Sequence, residues 1–127
     1  MSKIFRASVL GLGVGVAALV GVALPQAAFA FGAIAISSQH GGVTGWSHDY
    51  GSKDRAEEVA LQECGPGCRV VLDFWNGCGA YAVDAEAGST VYGWGTGSTR
   101  RAAERKAMAG CEDNDGDQCV IKVWACE

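Results

Sequence analysis

Two stretches of the chain hold residue types from which chemistry could be built. His48-Asp49 sets an imidazole beside a carboxylate, the pairing that serves as a general base. Asp113-Asn114-Asp115-Gly116-Asp117 alternates oxygen-bearing side chains around a glycine turn, as calcium loops do. Context weakens both. Successive residues of a strand point to opposite faces, so His48 and Asp49 are expected not to touch. Ser47 and Ser52 lie near, but neither stands in a Gly-x-Ser-x-Gly turn, and oxidised cysteines cannot attack. If Gly116 takes the sixth position of a calcium loop, Cys111 and Lys122 fall on the first and twelfth, where carboxylates are needed. The expectation is no catalytic residue, no metal and no cofactor, with a small cell-envelope hydrolase using His48 as the alternative.

The tryptophans offer a different chemistry, that of a contact surface. Strict alternation along "RVVLDFW" puts Val70, Leu72 and Phe74 on one face and Val71, Asp73 and Trp75 on the other. Along "VIKVWA" it sets Ile121 and Val123 opposite Val120, Lys122 and Trp124. Trp75 and Trp124 are thus expected on the same side of a sheet. If helices cover the other side, these two together with Trp46 or Trp94 form an exposed aromatic patch for an extracellular or periplasmic protein or glycan.

The elements that must position these residues occur twice. Shifted by forty-seven positions, Gly32-Ala33-Ile34-Ala35-Ile36 aligns with Gly79-Ala80-Tyr81-Ala82-Val83, and Ala56, Glu57, Ala60 and Cys64 align with Ala103, Glu104, Ala107 and Cys111. Gly45-Trp46 and Gly93-Trp94 match with one residue of slip. Each copy, residues 31–78 and 79–127, reads strand, strand, helix, strand. Ser52 and Thr99 can cap the helices, whose stripe of small residues allows close approach to a sheet. The third strands are rich in β-branched and aromatic residues. The class is α+β, a two-layer sandwich with both helices on one face of a six-stranded, mainly antiparallel sheet.

The first thirty residues have the build of a secretory signal: Lys3 and Arg6, an apolar stretch, then Ala28-Phe29-Ala30, with cleavage expected after Ala30. A retained anchor is the competing reading, since Ala7 to Leu24 is near spanning length. The glycines, Pro25 and the Ala-x-Ala ending favour removal, leaving a secreted or periplasmic domain with no membrane attachment. Removing Lys3 and Arg6 from ten basic residues leaves eight against fourteen acidic ones, a net charge of −6. Such a surface repels phosphate backbones, so nucleic acid is excluded as a partner.

All six cysteines follow the leader, an even count that in a small exported domain marks a disulfide framework. Zinc is disfavoured because Cys64, Cys68 and Cys78 lack a matching histidine or a second close pair. In the repeat, Cys64 and Cys111 end the helix, Cys68 and Cys119 begin the third strand, and Cys78 and Cys126 follow it. Equivalent positions should pair equivalently. All three classes could pair across a pseudo-twofold axis, but positions at opposite ends of a strand cannot all lie near one axis. The expected pairs are therefore Cys64 with Cys68, Cys111 with Cys119, and, crossing the axis, Cys78 with Cys126.

"GAIAIS" after the leader, "GW…Y" before the first helix, "RAEEVALQECG…CRVVLDFWNGCGAYAVD" in the middle and "TRRAAERKAMAGC…WAC" at the end together resemble the bacterial exported family named domain of unknown function 4189. The resemblance spans essentially the whole chain after the leader. It implies a small secreted domain without an assigned reaction and, through relatives secreted by bacteria that attack hosts or rivals, an effector or inhibitor role. With the residues, it favours a secreted, non-enzymatic binding or interaction module.

Overall fold

A computed structural model describes residues 21, 29–37 and 42–127; most of the predicted leader lies outside the described residues. The order is β1 (Phe31–Ser37), β2 (Thr44–Tyr50), α1 (Lys53–Cys64), β3 (Cys68–Trp75), β4 (Cys78–Asp84), β5 (Tyr92–Gly97), α2 (Arg100–Asp113) and β6 (Cys119–Cys126). This is the expected doubled ββαβ order. Ser52 accepts from the N–H of Arg55 at 3.2 Å and Thr99 from that of Ala102 at 3.1 Å, so each helix starts at its anticipated cap. Gly65, at φ 97°, ends α1 with its N–H on the Leu61 carbonyl. Among the described residues, no helix is long and apolar enough to cross a membrane.

The strands form two antiparallel three-stranded sheets, ordered β2-β1-β3 and β5-β4-β6. The expected single six-stranded sheet is thereby corrected, as is the placing of both helices on one of its faces. Each unit closes its own sheet around its first strand, and that strand is apolar on both sides. Ala33 and Ala35 meet Ala56, Ala60 and Cys64 of α1, while Ala80 and Ala82 meet Ala103, Ala107 and Cys111 of α2. The opposite faces carry Ile34, Ile36, Leu72 and Phe74 in one sheet and Tyr81 and Ala125 in the other, which bury one another. The layers therefore run α1, first sheet, second sheet, α2. A face with Ile34 and Ile36 fully or almost fully buried cannot be the open side of a sheet; the second sheet is its cover.

β3 and β6 each hold a bulge. Ile34 pairs with Leu72 but Ala35 with Val70, and Tyr81 pairs with Val123 but Ala82 with Ile121. The extra residues, Val71 and Lys122, reverse the facing of everything before them. Val70 consequently packs toward α1 while Leu72 and Phe74 face the second sheet, and Ile121 packs toward α2 while Val123 faces the first. Strict alternation predicted neither separation.

The three disulfides are Cys64–Cys68, Cys78–Cys126 and Cys111–Cys119. The pairs are those expected, but Cys78–Cys126 does not cross between the sheets. Cys78 opens β4 and faces Cys126 directly on β6, with Cα atoms 4.0 Å apart inside the second sheet. Three disulfides in so small a domain fit an oxidising compartment such as the extracellular space.

Candidate functional site

The one-residue slip seen in the sequence is a physical insertion in β2. Ala33 pairs with Ser47 but Phe31 with Tyr50, so His48 and Asp49 together oppose Gly32. In the second sheet, Cys78 to Val83 pair with Gly97 to Tyr92 without a shift. Asp49 absorbs the insertion at φ 62°, a left-handed conformation that aspartate tolerates better than most residues. The bulge brings His48 Nδ1 to 2.8 Å from Asp49 Oδ2, correcting the expectation that this pair would not touch. Both side chains are exposed.

The same bulge turns a backbone donor toward the other half of the molecule. Asp49 N–H donates to Glu127 Oε2 at 2.7 Å, joining β2 of the first sheet to the residue after β6 of the second. Glu127 Oε1 is buried beside Gly32, without a hydrogen-bond partner among the described residues. Burial pushes the Glu127 carboxyl above the ordinary carboxylate range. The Asp49 carboxylate adds to that effect, while the Asp49 N–H and His48 oppose it.

Beside this contact, β2 and β6 border a groove of about 490 Å³ lined by Trp46, His48 and residues 122–126. Trp46 reaches it from β2, with the His48 ring stacked on its indole at 5.3 Å between centroids. Trp124 reaches it from β6 under Arg100 of α2, whose guanidinium carbon stands 3.7 Å from the ring centroid. Arg100 is itself held by Glu104 Oε1, which accepts from its Nε at 2.6 Å. Lys122, the extra residue of the β6 bulge, completes the polar lining.

Of the four tryptophans, the structure thus gathers Trp46 and Trp124 and leaves Trp75 and Trp94 elsewhere. Trp75 pairs with Phe31 on the helix side of the first sheet, with the Phe29 ring 6.0 Å away. Trp124 pairs with Ala80 on the helix side of the second sheet, so Trp75 and Trp124 lie in different sheets and on opposite outer faces of the molecule. They are not even equivalent in register. Ala33 faces Asp73 where Ala80 faces Trp124, and Phe31 faces Trp75 where Cys78 faces Cys126. Trp94 stands on β5 opposite Tyr81, half exposed.

Ser47 is no nucleophile. Its buried Oγ donates to the Ala56 carbonyl at 2.6 Å and accepts from the Ala33 N–H at 3.1 Å, fastening β1 and β2 to α1. Residues 113–117 form the turn out of α2: the Gly116 N–H donates to the Cys111 carbonyl, and Asn114 Nδ2 donates to the Tyr92 carbonyl at 3.1 Å. Sequence reasoning missed Glu127, Lys122 and Arg100. The slip between Trp46 and Trp94 was the available signal for the bulge; nothing local marked the contact with Glu127, which is 78 residues from Asp49.

A sequence profile of the family described as "Domain of unknown function (DUF4189)" matches residues 31–126. The chain belongs to this family. The uncharacterized protein Rv1813c of Mycobacterium tuberculosis is 39% identical to it over 97 residues, covering 76% of this chain and 59% of the relative. The matching stretch therefore spans about three fifths of that relative's length. Protein Rv1269c of the same organism is 35% identical over 102 residues, covering 80% and 73% respectively. The NMR structure of Rv1813c superposes with a TM-score of 0.56 at 29% identity, covering 100% of this chain and 95% of that one. This DUF4189 chain thus shares its doubled fold with a solved relative.

Proposed function

We propose that this protein is a secreted or periplasmic binding module, without catalytic activity, that engages an extracellular or periplasmic protein or glycan through the groove between β2 and β6. The observation that carries the reading is the convergence of Trp46 and Trp124, both substantially exposed, on one groove from separate sheets. Partly exposed aromatic rings fixed by neighbours are the residues that carry binding energy at interfaces. Export rests on the leader pattern and the disulfides, with Phe31 as the first residue of the released chain. An effector or inhibitor role follows the family resemblance.

One observation favours a second reading, a small cell-envelope hydrolase. His48 is oriented by Asp49 at 2.8 Å, as a general base would be. Neither Ser47, committed to the Ala56 carbonyl, nor the cysteines, all paired, supplies it with a nucleophile. Capture from envelope and culture fractions with the oxidised protein and with a Trp46→Ala/Trp124→Ala variant tests the first reading. A ligand held by the parent and lost by the variant supports it, and equal capture by both contradicts it. Hydrolysis of an envelope substrate that disappears in His48→Ala would establish the second reading instead.

A further inference from the structure

Trp46 and Trp124 each have one face already occupied. The His48 ring lies nearly parallel to Trp46, at 23°, and the Arg100 guanidinium covers Trp124. Both indoles are thereby fixed in orientation, and at 45% and 40% exposure they offer what remains of their flat apolar surface to solvent. A flat ring at an open groove suits a flat, weakly apolar body, whereas a branched side chain gains most from an enclosing pocket. Polar groups stand around the rings: the His48 imidazole and the Lys122 ammonium can bond hydroxyl or amide groups.

Charge narrows the class further. Asp49 and Glu127, the chain neighbours of the lining residues His48 and Cys126, oppose an anion, and Lys122 in the lining with Arg100 over Trp124 opposes a cation. Nucleobases also stack on indole, but their phosphates would meet these carboxylates and a chain whose net charge after the leader is −6. We infer that the groove between β2 and β6 binds a neutral oligosaccharide, with pyranose rings lying on the free faces of Trp46 and Trp124. This deepens the binding reading above and rests on it. Trp94 is the internal control, because the residue two places beyond it is Thr96 where Trp46 has His48.

The test is a titration of the isotope-labelled, oxidised protein as exported with neutral tetramers of glucose and of N-acetylglucosamine, following all four indole N–H signals. The expected result is movement of Trp46 and Trp124 with at least one tetramer while Trp94 stays fixed. Trp46→Ala and Trp124→Ala should each weaken affinity about tenfold or more, the scale of a lost aromatic contact plus its buried area, and Trp94→Ala should leave affinity unchanged. Trp124→Phe, which keeps a ring beneath Arg100, should fall between parent and alanine and guards against a folding defect. Movement at Trp75 or Trp94 alone, or none with either tetramer, overturns the inference. If a captured protein partner moves Trp46 and Trp124 while the tetramers do not, the ligand class falls and the binding reading stands. If neither moves them, both fall.

Discussion

The first half of the molecule is less regular and less cross-linked than the second, and the difference begins with one residue. β2 carries the His48–Asp49 insertion and keeps Ser47, whose hydroxyl bridges to α1. β5 runs without a bulge and has Gly95 at the corresponding place, where α2 comes so near that an added Cβ would meet the Ala103 carbonyl at 2.8 Å. The second half also has two of the three disulfides, Cys78–Cys126 standing where the first half has the Phe31–Trp75 pair. Regularity and cross-linking thus go together in one half. In the other, irregularity frees a backbone donor and draws an imidazole, a carboxylate and an indole to the border with its neighbour.

Removing the staple should affect stability most. The chain-entropy view assigns about 4 kcal/mol to a bond closing a loop as long as that of Cys78–Cys126, against about 2 kcal/mol for Cys64–Cys68. Urea unfolding of the two paired Cys→Ser variants measures this, and equal losses would erase the claimed contrast between the halves. Next comes Gly93→Ala. Its Cβ would run into the backbone of Ala107 and Cys111, rigid atoms of α2, for an expected cost of about 1–3 kcal/mol. Gly42→Ala, with nothing near its Cβ among the described residues, should be neutral by comparison. At Asp49, left-handed backbone makes Asp49→Val cost about 1–3 kcal/mol, whereas Asp49→Gly should fold normally and simply deprive His48 of its partner. Equal stability of these two variants would contradict the bulge.

The smallest effects are electrostatic and differ in sign between the contact that joins the halves, at Glu127, and one inside the second half, at Asp84. Burial raises the Glu127 pKa in the folded state, so its protonated form is favoured there. The stabilisation is complete below the unfolded pKa and is lost as pH rises through the folded value. Glu127→Gln, held neutral, should therefore be more stable than the parent at neutral pH and indistinguishable from it in acid. Asp84 behaves oppositely. The Ser89 hydroxyl and the N–H groups of Glu86 and Gln118 hold its carboxyl below the ordinary range, giving stability that is complete above the unfolded pKa and lost as pH falls through the folded one. Asp84→Asn should lower stability at neutral pH and flatten the acid limb of the profile.

What the sequence revealed was whatever repeats or alternates locally. The Ala56-Ala60-Cys64 stripe, the caps at Ser52 and Thr99, and the cysteine classes yielded the helices, the doubled unit and all three disulfide pairs. Alternation failed where a bulge adds a residue. Val70 and Leu72 look like one face until Val71 is counted out, and Trp75 and Trp124 look equivalent until register gives Trp124 the place that Asp73 holds in the first unit. The count of sheets was hidden for another reason. Ile34 and Tyr81 announce a second apolar face on each central strand, but not that each sheet is the other's cover. The candidate groove joins β2 to β6, and no periodicity connects residues so far apart in the chain.

The insertion's central consequence is the bond from the Asp49 N–H to Glu127, and the Asp49 amide proton reports it directly. Followed by NMR across the acid to neutral range, that proton should be protected from exchange. Its shift should titrate with a midpoint above the ordinary glutamate value, and Glu127→Gln should abolish the titration. An Asp49 amide that exchanges freely and shows no dependence on Glu127 would contradict the account.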